Sequence, residues 1–449
     1  VLDSENKSGE FFCMSKGMSF TYLAKTYFDD NQLTASLKEI FSQDDFYKSK
    51  IEMIEKINKK EPFEIKNSDN CKKIFDDKDK KMNISPTRVE SFYQCAFRYF
   101  CQHGLRVYPL KKAELNPLET GTLIHKVLFD ITKKYDLKNN FDEQKIKAEI
   151  KLELDVYIEQ VMGGVKDKTK RFMYIYQKIR IQLFKILEHL HNEFEQSQFI
   201  PTDYEYEINE NSDITPLKMV TNENIEVVIS GKIDRIDSYV SQSGQKYIRI
   251  VDYKSGKKMF KLNDVLYGLN LQMLIYLFCI ENNGKEKYKN CKPAGILYLH
   301  AGTIKPNLSR LSTQSQMEKE VKDFYKMNGL LVNETEVLEA MEKGIAGEYI
   351  PVSTKNDGTF SSQSLNSLAS KQELGKISNY INKLIANMAD ELHYGKISAS
   401  PLEGSCEYCD YASVCGKNQS EIEQYKKFER EEIFKQMENF SPEGDSNNG

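Results

Sequence analysis

Gly231-Lys232-Ile233-Asp234 and Val251-Asp252-Tyr253-Lys254 are the stretches on which the reading of this chain turns. The residues around them alternate as strands do, over 232–240 and 246–254, and Ser241-Gln242-Ser243-Gly244 between them has the composition of a turn. They form the two arms of one expected β-hairpin. Asp252 and Lys254 are two apart on a strand, so both project from one face, with Val251 and Tyr253 on the other. Asp234, on the first arm, falls beside Asp252. Two adjacent carboxylates repel unless a cation lies between them. Mg²⁺ suits that place, because it takes one or two carboxylates and keeps several waters. Such a site attacks phosphodiesters with a bound water, which Lys254 would orient while offsetting charge in the transition state. A D-x-K triplet alone arises by chance in most charged proteins. Its weight here comes from the Gly231-x-x-Asp234 arm before it, and from Gly256 and a helix after it.

That helix is expected over Asp264–Ile280. Leu271, Met273, Leu274, Ile275, Leu277, Phe278 and Ile280 make it apolar nearly all round, so it is buried. Gln272 and Tyr276 are i,i+4 neighbours on one face. Buried polar tips need partners, either in the core or at the site and a DNA backbone. Upstream, His125 falls outside the apolar stripe of Leu123, Ile124, Val127, Leu128 and Ile131, which leaves it either solvated or part of the site.

Cys406, Cys409 and Cys415 stand as C-x2-C-x5-C, and Cys95 stands far upstream. Zinc sites usually come as two C-x2–4-C pairs, whereas four thiolates suit a [4Fe–4S] cluster. The spacing favours iron–sulfur and leaves zinc open. Cys101 competes with Cys95 for the fourth place. A staple between 95 and 406–415 would close the region between them and restrict the unfolded chain. The odd total of 9 cysteines and the tight spacing favour metal thiolates in a reducing compartment, the cytoplasm.

The 449 residues suffice for two or three domains. The expected division is a helical segment and linker over 1–81, a main domain over 82–418, and a charged helix with a disordered tail over 419–449. Helices are expected from Pro86 through Cys95 to about His103, after Pro117, and over 143–160, 168–197, 316–328, 333–344, 368–394 and 420–438. Strands are expected over 204–209, 225–230, 232–240, 246–254 and 295–300, with the first β signal at Tyr204. The class is α/β (α+β). No apolar run is long enough for a transmembrane helix, so no membrane partner is expected. Val1-Leu2-Asp3-Ser4 has neither a signal-peptide pattern nor an initiator Met, which suggests an excised piece of something longer or a processed chain. No G-x-x-x-x-G-K-[ST] occurs, so no ATPase site is expected. The net charge of −4 does not mark a nucleic-acid binder, though binding needs only a local basic groove. Lys166–Arg171 with Phe172, Tyr174, Tyr176, Lys178 and Arg180 is either a single-strand-binding stretch or a solvated amphipathic face. Lys257 and Lys258 are better placed to meet a phosphate.

Gly231-x-x-Asp234, Asp252-x-Lys254, Gln272-x-x-x-Tyr276 and His125 together resemble the RecB-type branch of the PD-(D/E)xK nucleases. Cys95, Cys406, Cys409 and Cys415 resemble the cysteines of its iron–sulfur members. Over residues 82–418 the likeness is nearest to the nuclease region of the B subunits of AddAB-type helicase–nucleases. The resemblance implies a restriction-endonuclease-like core with large helical additions, stapled by [4Fe–4S]. It implies Mg²⁺ on His125, Asp234, Asp252 and the Tyr253 carbonyl, with Lys254 assisting the water and Gln272 and Tyr276 supporting the site or touching DNA. It also implies an AddA-type helicase–nuclease partner that supplies the motor, a helicase-like origin for residues 1–80, and exonuclease action on the 5′-ended strand of unwound DNA during break resection for recombination. One departure is Ala96, where the family often has Pro. Glu205 and Glu207 offer extra acidic groups, neither of them aligned. Two rival readings are a stand-alone iron–sulfur exonuclease of the CRISPR-adaptation type and a non-catalytic DNA-clamping or subunit-docking module. The intact set of His125, Asp234, Asp252 and Lys254 argues against the second.

Overall fold

The computed structural model describes residues 15–58, 64–77, 81–109, 117–164, 166, 168–256, 258–302, 313–415 and 422–440. The expected disordered tail, Ser441–Gly449, and Lys257 lie outside the described residues. The chain divides into two compact units, 1–63 and 64–449. In the first, the helices Lys16–Thr26, Gln32–Ser42 and Asp45–Asn58 bury Leu23, Leu37, Phe41 and Ile51. Ser15 and Asn31 cap two of them by accepting from the Met18 and Thr34 N–H groups, which satisfies donors that a helix leaves open at its start.

In the second unit the described strands are β1 (Lys81–Ile84), β2 (Ile200–Ile208), β3 (Leu217–Val220), β4 (Glu226–Ile229), β5 (Gly231–Val240), β6 (Lys246–Lys254), β7 (Lys292–His300), β8 (Asn328–Val332) and β9 (Leu368–Ala369). A mixed six-stranded sheet runs β2-β5-β6-β7-β8-β9, and a smaller one runs β1-β4-β3. The expected hairpin is β5–β6, antiparallel with Arg235 opposite Val251. Its turn closes through Gly244, whose φ of +81° favours glycine. β6 is buried on both faces, as a central strand between β5 and β7 must be. The apolar helix Gln272–Asn283 packs against β6 and β7. The long helix Lys170–Gln196 reaches β5 and β6 through Glu193, which meets Arg235 and Arg249.

Several elements differ from expectation. The helix expected over Asp264–Ile280 is two, Leu262–Leu266 and Gln272–Asn283. Gly268 (φ +69°) and Asn270 (φ +56°) are left-handed between them, and the Asn270 amide donates to Asp264 at 2.7 Å, a local bond that competes with helix. The helix expected through Cys95 breaks there: Cys95 is extended (φ −174°, ψ 118°) between Pro86–Gln94 and Ala96–Tyr99. β sheet begins at Lys81, not Tyr204, because β1 pairs with the distant β4. β8 occupies residues expected partly in helix and completes a pairing with β7. The last helix among the described residues is Arg430–Asn439. Residues before it are held extended by side chains from elsewhere, with Glu403, Tyr267 and Asn263 accepting from the Tyr425, Lys426 and Phe428 N–H groups.

Candidate active site

The site lies where β5 begins and β6 ends. Antiparallel pairing puts Asp234 next to the Asp252–Lys254 end of β6, and the Tyr253 N–H donates to Asp234 Oδ2 at 3.1 Å. His125, on the helix Pro117–Lys134, brings Nδ1 to 3.2 Å from the same oxygen. Its ring meets Tyr253 edge-on at 6.0 Å. Lys254 Nζ lies 3.0 and 2.7 Å from the two oxygens of Asp252. His125, Asp234, Tyr253 and Lys254 line one cleft of about 650 Å³, together with Gly121, Lys126, Asp130, Glu205 and Lys232.

Glu205 is the residue whose place the sequence did not settle. Tyr204 pairs with Arg235 and Tyr206 with Ile233, so Glu205 stands opposite Asp234. Its backbone is left-handed (φ +49°), a conformation that costs a non-glycine residue about 1–3 kcal/mol. Like charges directly opposite on neighbouring strands add to the cost. One ligand atom each from His125, Glu205 and Asp234 lies within 4.8 Å of the other two. Strain, crowded carboxylates and a converging imidazole fit a divalent cation bound mainly by oxygen. Asp252 is outside that trio, paired with Lys254 and 5% exposed. Burial, then the charge of Asp234, pushes its carboxyl up to about 6. Burial lowers the His125 pKa, but the hydrogen bond and charge of Asp234 outweigh it, so the net direction is upward.

Gln272 and Tyr276 hydrogen-bond to each other, and the Tyr276 hydroxyl also bonds to the Lys232 backbone. A Cβ at Gly231 would collide with that hydroxyl. The pair thus supports the start of β5 from beneath. Glu90, which the sequence did not single out, accepts from the Gln272 N–H at 2.9 Å and lies 3.9 Å from Lys258. Behind the site, Glu193, Arg235, Asp237 and Arg249 are all at most 1% exposed. Arg235 and Arg249 bridge the two acids, and Arg235 also donates to the Tyr253 hydroxyl at 3.3 Å. Buried charges persist only when paired in this way.

Cys95, Cys406, Cys409 and Cys415 line a single small cavity with Phe97, Arg98, Ala399, Pro401 and Ser405. Among the described residues no three thiols come within 4.8 Å of one another. A tetrahedral zinc with Zn–S of about 2.3 Å would draw them to roughly 3.8 Å, so the quartet shares a cavity without closing to a single-ion site. Cys101 is buried nearby, and its thiol is pushed up by burial and by the charges of Cys409, Cys95 and Cys415. Of the suggested DNA-binding stretch, Tyr176 belongs to the core, donating to Asp155 at 2.6 Å. Tyr174 is exposed, with Lys178 5.1 Å above its ring.

A family model described as the PD-(D/E)XK nuclease superfamily matches residues 83–416. The chain is similar to curated proteins named as the B subunit of an ATP-dependent helicase/deoxyribonuclease. That of Thermoanaerobacter sp. (strain X514) is 28% identical over 396 residues, 86% of this chain and 34% of that protein. That of Clostridioides difficile (strain 630) is 29% identical over 87% of this chain and 35% of its own length. That of Clostridium botulinum (strain Loch Maree / Type A3) is 32% identical over 75% and 30%. The chain spans about a third of the length of these relatives. No described helix is long and apolar enough to cross a membrane.

Proposed function

The chain belongs to the PD-(D/E)XK nuclease superfamily, and on that premise we propose that it is the nuclease part of the B subunit of a helicase–nuclease, hydrolysing phosphodiester bonds in DNA. The observation that carries this reading is the convergence of His125, Glu205 and Asp234 beside the Asp252–Lys254 pair in one open cleft. His125, Asp234, Asp252 and the Tyr253 carbonyl would hold Mg²⁺, with Glu205 as a further carboxylate. Mg²⁺ supplies a nucleophilic water at neutral pH and stabilises charge on the phosphate.

The chain's own groups do the rest. Lys254, steered by Asp252, orients the water and meets the charge that grows on the phosphate. The Tyr253 N–H holds Asp234 in place. Gln272 and Tyr276 fix the start of β5 and so the reach of Asp234. Cys95, Cys406, Cys409 and Cys415 would carry a [4Fe–4S] cluster, a donor set that suits it, stapling the domain's two ends. The relatives' name supports a nuclease part of a helicase–nuclease. On the resemblance of the motifs to AddAB-type enzymes we extend the proposal to unwound DNA delivered by an AddA-type partner in the cytoplasm, cut on the 5′-ended strand during break resection for recombinational repair.

The test is degradation of single-stranded DNA labelled at either end, by the iron-loaded chain with Mg²⁺ or with a chelator. Mg²⁺-dependent shortening supports the reading, and the label lost first reports polarity. Stable DNA under both conditions, with the AddA-type partner present, contradicts it.

A further inference from the structure

Among the described residues, every lysine lining the cleft is already committed to a carboxylate. Lys126 lies 2.7 Å from Asp130, Lys254 2.7 Å from Asp252, and Lys232 is ion-paired with Glu205. Only Lys232 has a partner that belongs to the converging trio of His125, Glu205 and Asp234. It is also the most exposed of the three, at 51% of its side chain against 41% and 27%. Glu205 is fixed from both sides by the pairing of Tyr204 with Arg235 and Tyr206 with Ile233. Its place beside the cleft is set by the strand. An ammonium and a divalent cation compete for one carboxylate, by occupying its lone pairs and by repelling each other. Lysine is a point charge on a flexible stem, so it is the partner that can leave.

We propose that Lys232 is an exchangeable cation: it neutralises Glu205 while the cleft is metal-free and, when a divalent ion takes that carboxylate, turns to a phosphate of the bound strand. This rests on the nuclease reading and deepens it, by making DNA binding depend on metal through one residue. Linkage makes the dependence reciprocal. Metal frees the lysine for DNA, and DNA, by holding the lysine, favours metal. Lys232 is a positioning and binding residue in this account, and Lys254 remains the one beside the reacting phosphate.

The experiment uses the full iron-loaded chain and its Lys232→Met and Lys232→Arg variants. Calorimetry measures Ca²⁺ binding without DNA. Fluorescence anisotropy measures affinity for a labelled phosphorothioate oligonucleotide, with and without Ca²⁺. Lys232→Met is expected to bind Ca²⁺ about two- to fivefold more tightly, the range of an exposed ion pair. Its Ca²⁺-dependent gain in DNA affinity is expected to shrink well below the wild type's, for which about tenfold is typical of such coupling. With Ca²⁺ present, the salt dependence of DNA binding should lose a slope of about 0.7, one phosphate contact on a single strand. Lys232→Arg should keep the coupling. Unchanged Ca²⁺ affinity or unchanged coupling in Lys232→Met overturns the exchange while leaving the nuclease reading in place. Wild-type Ca²⁺ binding that Asp234→Ala does not alter overturns both.

Discussion

The Tyr276 hydroxyl sits against Gly231, where an added side chain would collide with it. It bonds to the backbone of the next residue, Lys232, and so sets the height at which β5 starts, three residues before Asp234. Gly231→Ala forces ring and strand apart. The expected cost is about 1–3 kcal/mol in urea unfolding, with a parallel loss of cleavage. Because the two residues touch, Gly231→Ala in a Tyr276→Ala background should cost much less than in the wild type. Strict additivity would mean that the contact does not govern the strand.

Asp252 gives the metal-free chain a characteristic pH dependence. Its carboxyl is raised from 3.8 to about 6 by burial and by Asp234. The folded state therefore binds this proton more tightly than the unfolded state. The stability it contributes is present below about pH 4 and lost as pH rises through about 6, an amount on the order of 2–3 kcal/mol. His125 is also raised, by Asp234, and acts in the same direction at higher pH. Asp252→Asn should gain on the wild type by that amount between pH 4 and 7 in chelator, measured by urea unfolding. Mg²⁺ should narrow the difference. Cleavage, which needs ionised Asp252, should rise with pH, with its midpoint below that of the metal-free chain because Mg²⁺ favours the ionised carboxylate.

The four buried charges behind the sheet are expected to fail together. Arg235 and Arg249 balance Glu193 and Asp237 with almost no solvent. Arg249→Met leaves one buried charge unmatched, at a cost of about 3–5 kcal/mol. Thermal unfolding should show it as a large drop. An exposed control such as Lys147→Met, which breaks a surface pair with Glu143, should change stability by less than about 1 kcal/mol.

Iron content separates the cysteines. Cys95→Ala, Cys406→Ala, Cys409→Ala and Cys415→Ala should each lower bound iron and the visible absorbance of an iron–sulfur chromophore, and should lower the unfolding temperature. Cys101→Ala, which lies beside the cavity but does not line it, should keep both. Retained iron in Cys95→Ala with loss in Cys101→Ala would exchange their roles.

The hairpin was legible because its evidence is local. Alternation over two runs and a Ser/Gly turn fix β5 and β6, and their pairing then brings Asp234 to Asp252 without further information. Glu205 was not, because its place depends on which strand flanks β5, on the register of that pairing and on one left-handed residue. β1 escaped notice for a similar reason: four residues become a strand only against the distant β4. The break before Gln272 did carry local signals, Gly268 and Asn270, which the apolar run beyond them outweighed. At Cys95 a helical pattern continues across an extended residue, so sequence periodicity could not mark the break at which Cys95 joins the cavity it shares with Cys406.

The central claim is that the cleft cuts DNA with the carboxylates of β5 and β6. Its most direct test is anaerobic digestion of end-labelled single-stranded DNA in Mg²⁺ by the wild-type chain and by Asp252→Ala, both folded and iron-loaded. Cleavage by the wild type and a loss of at least about a hundredfold in the variant is the predicted result, since about a hundred- to a thousandfold is lost when a principal electrostatic group is removed. Equal cleavage by both proteins would contradict the assignment of the site.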